Sequence, residues 1–250
     1  MALIESFCQH GNFLFRHRSY LPVILIFAGI GYYVHLHISH QYSYSAFYFI
    51  VCFIVGFIGL IIRAITIGYT PRNTSGRNTK KQVADTVNTS GMYSLVRHPL
   101  YLGNFFMWLG LALLTRCVGF VIIFMLVYWL YYERIMYAEE FFLREKFGHD
   151  YLQWANSVPS FFPLRFRWHS PGVCFSFRKV VKRESIGLFN LVLMFFIFQY
   201  IHEVMTNGGK WLKLSPWGKG WFIALVAIGV IHLAIRTIRK KTKLLEVDGR

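Results

Sequence analysis

Apolar positions along this chain are not spread evenly. They fall in long blocks at residues 21–38, 44–68, 99–114, 117–137, 185–205 and 218–238. Each block is near the roughly 17–25 residues that a helix needs to cross a bilayer, although 99–114 is short for a span. Barrel strands would alternate with a period of two, and no such alternation is present. Hydrocarbon offers backbone groups no water, so spanning segments must satisfy their hydrogen bonds internally, as helices do. The pattern therefore predicts an all-α polytopic membrane helix bundle of about six transmembrane helices, forming a single membrane domain over residues 1–250. Only Thr115 and Arg116 separate the third and fourth blocks, which predicts a tight hairpin. Gly56, Gly59, Gly103 and Gly110 are expected where helix backbones approach closely.

Polar segments divide these blocks. Residues 69–97 are rich in Asn, Thr, Lys and Arg. Residues 138–147 continue the fourth block as a charged helix, residues 148–182 are irregular, and a basic tail closes the chain. The first twenty residues mix Glu5, His10, Arg16, His17 and Arg18 with scattered Phe, which is not a signal-peptide layout.

Composition agrees with a membrane protein: 55% of residues are hydrophobic and only 15% charged, against about 25% charged in soluble domains. Cys8, Cys52, Cys117 and Cys174 form no CxxC pair and have no His cluster beside them, so no metal is expected. The net charge of +16 invites a nucleic-acid reading, but the charge follows topology instead. Segments 1–20, 63–97, 134–183 and 236–250 hold 23 of the 27 Lys and Arg, leaving only Arg116, Lys210, Lys213 and Lys219 for the opposite face. By the positive-inside rule both termini are cytoplasmic, and no nucleic-acid partner is expected.

Two polar segments then share the cytoplasmic face. In the first, Pro99 fits the opening position of a helix, where a missing N–H costs nothing. Arg97 and His98 stand at the mouth of that helix, whose free N–H groups and partial positive charge suit an anion. In the second, Glu139 and Glu140 lie where the fourth block leaves the membrane. Glu140 and Arg144 are one turn apart and could be a solvated pair. Glu133 lies closer to the membrane, where charge is costly and needs a cavity or a partner such as Arg97 or Arg134.

Together the segments carry an ordered set: Gly91, Tyr93, Arg97, His98, Pro99, Tyr101 and Gly103, then Glu139, Glu140, Leu143, Phe147, Gly148 and Tyr151, then Val158 and Pro159. This set resembles the isoprenylcysteine carboxyl methyltransferase and phospholipid methyltransferase superfamily, over roughly residues 50–165. The resemblance implies an S-adenosylmethionine-dependent methyltransferase with a cytoplasmic cofactor pocket. It implies cofactor contacts from Tyr93, His98, Pro99, Leu100, Tyr101, Gly103, Glu139 and Glu140, with Gln82 and Val87 walling the pocket. His98 with the helix N-terminus suits the cofactor carboxylate, Glu139 its ammonium, and the rings of Tyr93, Tyr101 or Trp108 the adenine or sulfonium. Arg97 and Arg134 are the expected catalytic cations.

The substrate implied is a membrane lipid or lipidated molecule. Members that methylate prenylcysteine usually carry an Arg four residues before the first Glu of the pair. Here that position is Ile135, and Arg134 lies one step away. The cations of residues 72–81, Arg72 and Arg77 among them, together with Arg134, suit an anionic headgroup. A second basic run at 178–183 would draw anionic lipid to the same surface. The reading leans to the lipid-phosphate branch of the superfamily, with a prenylcysteine carboxylate second and an ethanolamine headgroup third. A sterol-reductase-like oxidoreductase and a non-enzymatic membrane adaptor are the competing classes. The last two blocks form an additional hairpin expected to complete the bundle, and His202 and Glu203 read as a satisfied interface pair.

Overall fold

The structure is a computed structural model that describes residues 2–18, 20–40, 44–71, 84–164, 166–211, 213–242 and 244–246. Its elements in chain order are α1 (Leu3–Arg16), α2 (Tyr20–His40), α3 (Ala46–Tyr69), a 3-10 turn (Gly91–Ser94), α4 (Pro99–Leu113), α5 (Val118–Ser157), α6 (Phe177–Thr206) and α7 (Pro216–Lys241). Four of these, α3, α5, α6 and α7, are long and apolar enough to cross a membrane, while α4 and the 23–39 part of α2 are shorter apolar helices. The six predicted blocks are thus six helices of a polytopic membrane bundle, with no strand among the described residues.

The first helix, α1, is an addition to the predicted elements. It exposes Leu3, Ile4 and Phe13 while burying Gly11 and Phe15, a two-faced pattern that suits a helix lying along a membrane surface. Its inner face rests on α5. Gly11 packs against the Arg134 carbonyl and Ala138, and the Tyr131 hydroxyl donates to the Leu14 and His17 carbonyls at 3.3 Å.

The closest pairing in the bundle is α3 against α4, antiparallel and set by glycine. A side chain at Gly110 would meet the Cys52 carbonyl at 2.6 Å and the Gly56 nitrogen at 2.8 Å, and one at Gly59 would strike the Gly103 carbonyl. Two buried clusters flank this seam. One centres on Tyr101, Phe105, Tyr128, Tyr132 and Ile135. The other, with Phe49, Leu114, Leu191 and Phe195, ties α3 to α6.

Two polar features fasten α6. Arg63 of α3 donates to both Glu184 oxygens at 2.7 and 2.8 Å and to Asn104 of α4 at 2.6 Å. Lys179, expected at the lipid surface with its basic neighbours, is instead 4% exposed and donates to the Thr70 and Pro71 carbonyls at the end of α3. A cation there satisfies carbonyls that a helix end leaves unpaired. At the opposite face Glu203 accepts from Gln199 at 2.7 Å and from the amide of Ser215, the residue that caps α7. His202 pairs with His37 at 2.9 Å rather than with Glu203.

The 15 residues of α4 span only about 22 Å, against about 30 Å of hydrocarbon. At the far face α4 is level with the start of α3, since the Tyr48 hydroxyl donates to the Leu113 carbonyl at 2.7 Å. With Gly59 opposite Gly103, the shortfall lies at the other end. There α3 runs on past the level of Pro99 to Tyr69, by roughly 9 Å.

Candidate functional site

Arg97, His98 and Pro99 sit in this recess. Pro99 opens α4 with His98 as its N-cap residue, and no side chain caps the helix. The amides of Tyr101 and Leu102 turn back to the His98 carbonyl. A second strand of chain, residues 158–160, lies alongside: the Arg97 amide donates to the Pro159 carbonyl at 2.9 Å and the His98 amide to Ser160 at 3.1 Å. Gly148, at φ 55° and ψ −123°, makes this return path feasible. It breaks α5 in a backbone region that L side chains rarely adopt, and so swings Tyr151 inward to 2% exposure.

Both motif carboxylates meet this N-terminus. Glu140 accepts from Arg97 Nε at 2.9 Å and from His98 Nε2 at 2.9 Å. Glu139 accepts from the Tyr101 hydroxyl at 2.7 Å and lies 3.6 Å from His98 Nδ1. Arg97 Nη1 donates to the Ala155 and Val158 carbonyls at 2.7 and 2.8 Å. Burial pulls the His98 imidazole down, but the hydrogen bonds and charges of Glu139 and Glu140 outweigh it, and the group titrates above its ordinary value. Burial first, and then the Glu139 charge, push the Tyr93 phenol up against the opposing contact with Asn88.

This geometry brings together Tyr93, Arg97, His98, Pro99, Leu100, Tyr101, Glu139 and Glu140, and it corrects several expectations. Arg97 is held by Glu140 and two carbonyls, not by Glu133, which is exposed. Glu140 is engaged by Arg97 and His98 across the recess, so it is not a solvated partner of Arg144. Gly103 faces the α3 backbone and Arg63, a packing position. Arg134 turns to α1, with its guanidinium 3.5 Å from the centre of the Phe7 ring. Trp108 lies two turns deeper, lining an apolar cavity of about 30 Å³ with Leu25, Phe120 and Phe198. Val87 is half-buried ahead of the 3-10 turn, whereas Gln82, Arg72 and Arg77 lie outside the described residues.

Other residues of the site escaped the sequence reading. The Tyr132 ring is 4.9 Å from Tyr101 and 4.2 Å from Tyr128. Tyr128 donates to the Tyr101 carbonyl at 2.7 Å, and Asn104, one turn further along α4, receives Arg63. The available signal was Arg63, a charge inside an apolar block, where a buried partner is the rule. Trp154 Nε1 is a buried donor with no acceptor among the described residues, beside Tyr151 at 5.7 Å.

The chain is similar to known proteins over this same region. Residues 45–150 match the family described as phospholipid methyltransferase. Protein-S-isoprenylcysteine O-methyltransferase of Schizosaccharomyces pombe is 40% identical over 30% of this chain and 32% of its own length. The cobalt-zinc-cadmium resistance protein CzcN of Cupriavidus metallidurans is 37% identical over 32% of this chain and 36% of its own length. The nickel-cobalt-cadmium resistance protein NccN of Alcaligenes xylosoxydans xylosoxydans is 30% identical over 44% and 48%. The chain thus spans between about a third and a half of the length of these relatives. No solved structure matches it. Residues 45–150 contain Tyr93, Arg97, His98, Tyr101, Glu139 and Glu140, so the region similar to the phospholipid methyltransferase family is the one that carries the ordered motifs and the recess.

Proposed function

We propose that this chain is an S-adenosylmethionine-dependent methyltransferase acting on the headgroup of a membrane lipid or lipidated molecule, with a phosphate-bearing lipid as the preferred acceptor. The observation that supports it is the convergence of Glu139, Glu140, His98 and Tyr101 at the recessed N-terminus of α4. The residues present fit such a cofactor. Glu139 would hold its ammonium, the Leu100 end of α4 its carboxylate, and the Tyr93 and Tyr101 rings its adenine or sulfonium side. Trp154 Nε1, near the end of α5, is a buried donor without an acceptor among the described residues.

When bound, the cofactor supplies an electrophilic methyl on a sulfonium that is already a good leaving group. The protein's part is alignment and exclusion of water. Glu140, fixed by Arg97 and His98, holds the end of α5 against the helix mouth. Tyr101, fixed by Tyr128, presents its hydroxyl to Glu139. A carboxylate or phosphate acceptor needs no general base, whereas an ammonium would first have to lose a proton. The site offers Glu139 and Glu140 already engaged as acceptors, which favours the oxyanion. Similarity to the protein-S-isoprenylcysteine O-methyltransferase of Schizosaccharomyces pombe supports a prenylcysteine carboxylate as the second reading. By the positive-inside count the site opens to the cytoplasmic side, with both termini there.

The test is calorimetric binding of S-adenosylhomocysteine to detergent-purified protein, with Glu139→Ala and His98→Ala alongside. Micromolar affinity, lost in both variants, is expected. A folded wild-type protein that ignores the ligand would overturn the reading and turn attention to nicotinamide cofactors.

A further inference from the structure

Side-chain contacts fix the register of α6 against α7. The Phe196 ring lies 5.8 Å from that of Phe222. A side chain at Gly229 would stand 3.4 Å from the Phe189 ring. His232 stacks on Phe189 at 5.7 Å, and its Nδ1 lies 3.3 Å from the Ser185 hydroxyl. The helices are therefore antiparallel, with Phe196 level with Phe222, Phe189 with Gly229, and Ser185 with His232. Seven residues return a helix to nearly the same face. One such step toward the start of α6 and the end of α7 carries the Phe189–Gly229 rung to Lys182 and Arg236. The same step carries the Ser185–His232 rung to Arg178 and Arg239. A seam lined with aromatic rings thus ends in two rungs of cations.

Among the described residues no carboxylate balances these charges. The ion pairs run elsewhere, Arg63 with Glu184, and Arg97 and His98 with the motif carboxylates. Glu184, the acid on this stretch of α6, is turned to α3. Arg178, Arg236 and Arg239 are exposed and Lys182 is half-buried. Arg178 and Lys182 are one turn apart on the same helix, where like charges repel. The last turn of α7 favours cations through its dipole, but Arg178 stands in the first turn of α6, where the partial charge is positive and favours an anion. The exposed Val230, Ile231 and Leu233 of α7 carry apolar surface up to this end, so an anion held there can keep an acyl tail on the helix.

We infer that Lys182 and Arg236, with Arg178 and Arg239, form a binding site for the phosphate of an anionic phospholipid at the end of the α6–α7 seam. Cations just beyond a membrane helix attract anionic headgroups, and guanidinium groups take phosphate oxygens through paired N–H contacts. The site is separate from the recess at Pro99 and independent of the reaction proposed there. A lipid phosphate would offset the repulsion between the rungs and so tie α7 to α6, the helix that Arg63 and Lys179 fasten to α3.

The experiment is native mass spectrometry of the detergent-purified full chain with dioleoyl phosphatidylglycerol and dioleoyl phosphatidylcholine, alongside thermal melting. Both lipids carry a phosphate, but the second brings its own cation. Wild type should retain phosphatidylglycerol in preference to phosphatidylcholine. Lys182→Gln combined with Arg236→Gln should weaken that retention by about tenfold or more, the scale of two cations at a membrane surface. Arg178→Gln combined with Arg239→Gln should reproduce the loss. Arg144→Gln combined with Arg167→Gln removes the same charge from exposed positions elsewhere and should leave retention unchanged. Phosphatidylglycerol should raise the melting temperature of wild type but not of the seam variants. In detergent alone the seam variants should melt no lower than wild type, because facing like charges have been removed, which separates a lost lipid from a lost fold. Equal retention of the two lipids by wild type would overturn the inference, as would seam variants that hold phosphatidylglycerol as well as wild type does. Equal weakening by the Arg144 and Arg167 changes would assign the preference to net charge and overturn it too.

Discussion

The Tyr101 hydroxyl donates to Glu139 across 2.7 Å, joining the opening turn of one helix to the charged extension of another. Tyr101 is itself held through its carbonyl by Tyr128, so the carboxylate is met by a hydroxyl that is already in place. Tyr101→Phe removes one hydrogen bond to a charged group and leaves the ring. It should weaken S-adenosylhomocysteine binding by about tenfold, as read by calorimetry, with melting temperature nearly unchanged. Glu139→Gln should cost more, because the ammonium partner is lost as well.

Arg97 should behave as a structural clamp. It joins Glu140 to the carbonyls of Ala155 and Val158, and Arg97→Ala removes the side-chain donor of both carbonyls while Glu140 keeps only His98. A loss of about 2–3 kcal/mol in stability is expected, with faster proteolysis between residues 155 and 160. Arg97→Lys, lacking the fork, should recover less than half of it. Wild-type proteolysis in the alanine variant would sink this assignment.

The stability contributed by His98 should depend on pH with a definite sign. Its folded-state value is raised above the ordinary 6.5 because the attraction of Glu139 and Glu140 exceeds the cost of burial. The contribution is therefore fully present below about pH 6.5 and is lost as pH rises through the folded value. The melting-temperature gap between wild type and His98→Gln should be largest in mild acid and should narrow at alkaline pH. A gap that widens toward high pH would contradict the arrangement.

Arg63 and Glu184 form a buried pair between α3 and α6, with Glu184 5% exposed. Removing one partner strands a charge, so Glu184→Leu should cost about 3–5 kcal/mol. The double change Arg63→Met with Glu184→Leu should recover most of that loss. Reversible unfolding in detergent reads both, and a double variant as weak as the single would mean that the pair does more than balance charge.

Gly110→Ala should destabilise by about 1–3 kcal/mol or more, because the added methyl meets backbone atoms of Cys52 and Gly56 that cannot rotate away. Gly31→Ala is the control, since a side chain there meets nothing within 4 Å. Comparable melting temperatures for the two variants would argue against the α3–α4 seam.

The six apolar helices were legible because membrane-spanning segments announce themselves by length and composition, and α4 could be seen to be short from the distance between Pro99 and Arg116. The recess holding His98 and Glu139 was legible through ordered motifs, not through any single residue. What could not be read were pairings between elements distant in sequence. Glu140 sits one turn from Arg144 and bonds to Arg97 instead, 43 positions away. Lys179 looked like one cation in a surface run and is buried under the end of α3. The N-terminal helix was invisible because its 14 residues are too few and too mixed to register as a span, and its effect on Arg134 was hidden with it.

The short α4 carries a consequence for how a substrate arrives. An amphiphile extracted into water to reach an enzyme must expose its tail, at about 0.8 kcal/mol for each CH₂ group. Because α3 runs roughly 9 Å beyond the level of Pro99, the proposed methyltransferase site would lie sunk within its leaflet. A headgroup can reach that depth by sideways diffusion alone, its tail never leaving oil. Turnover should then track the two-dimensional density of acceptor in the bilayer and the thickness of that bilayer, and be indifferent to the acceptor's solubility in water.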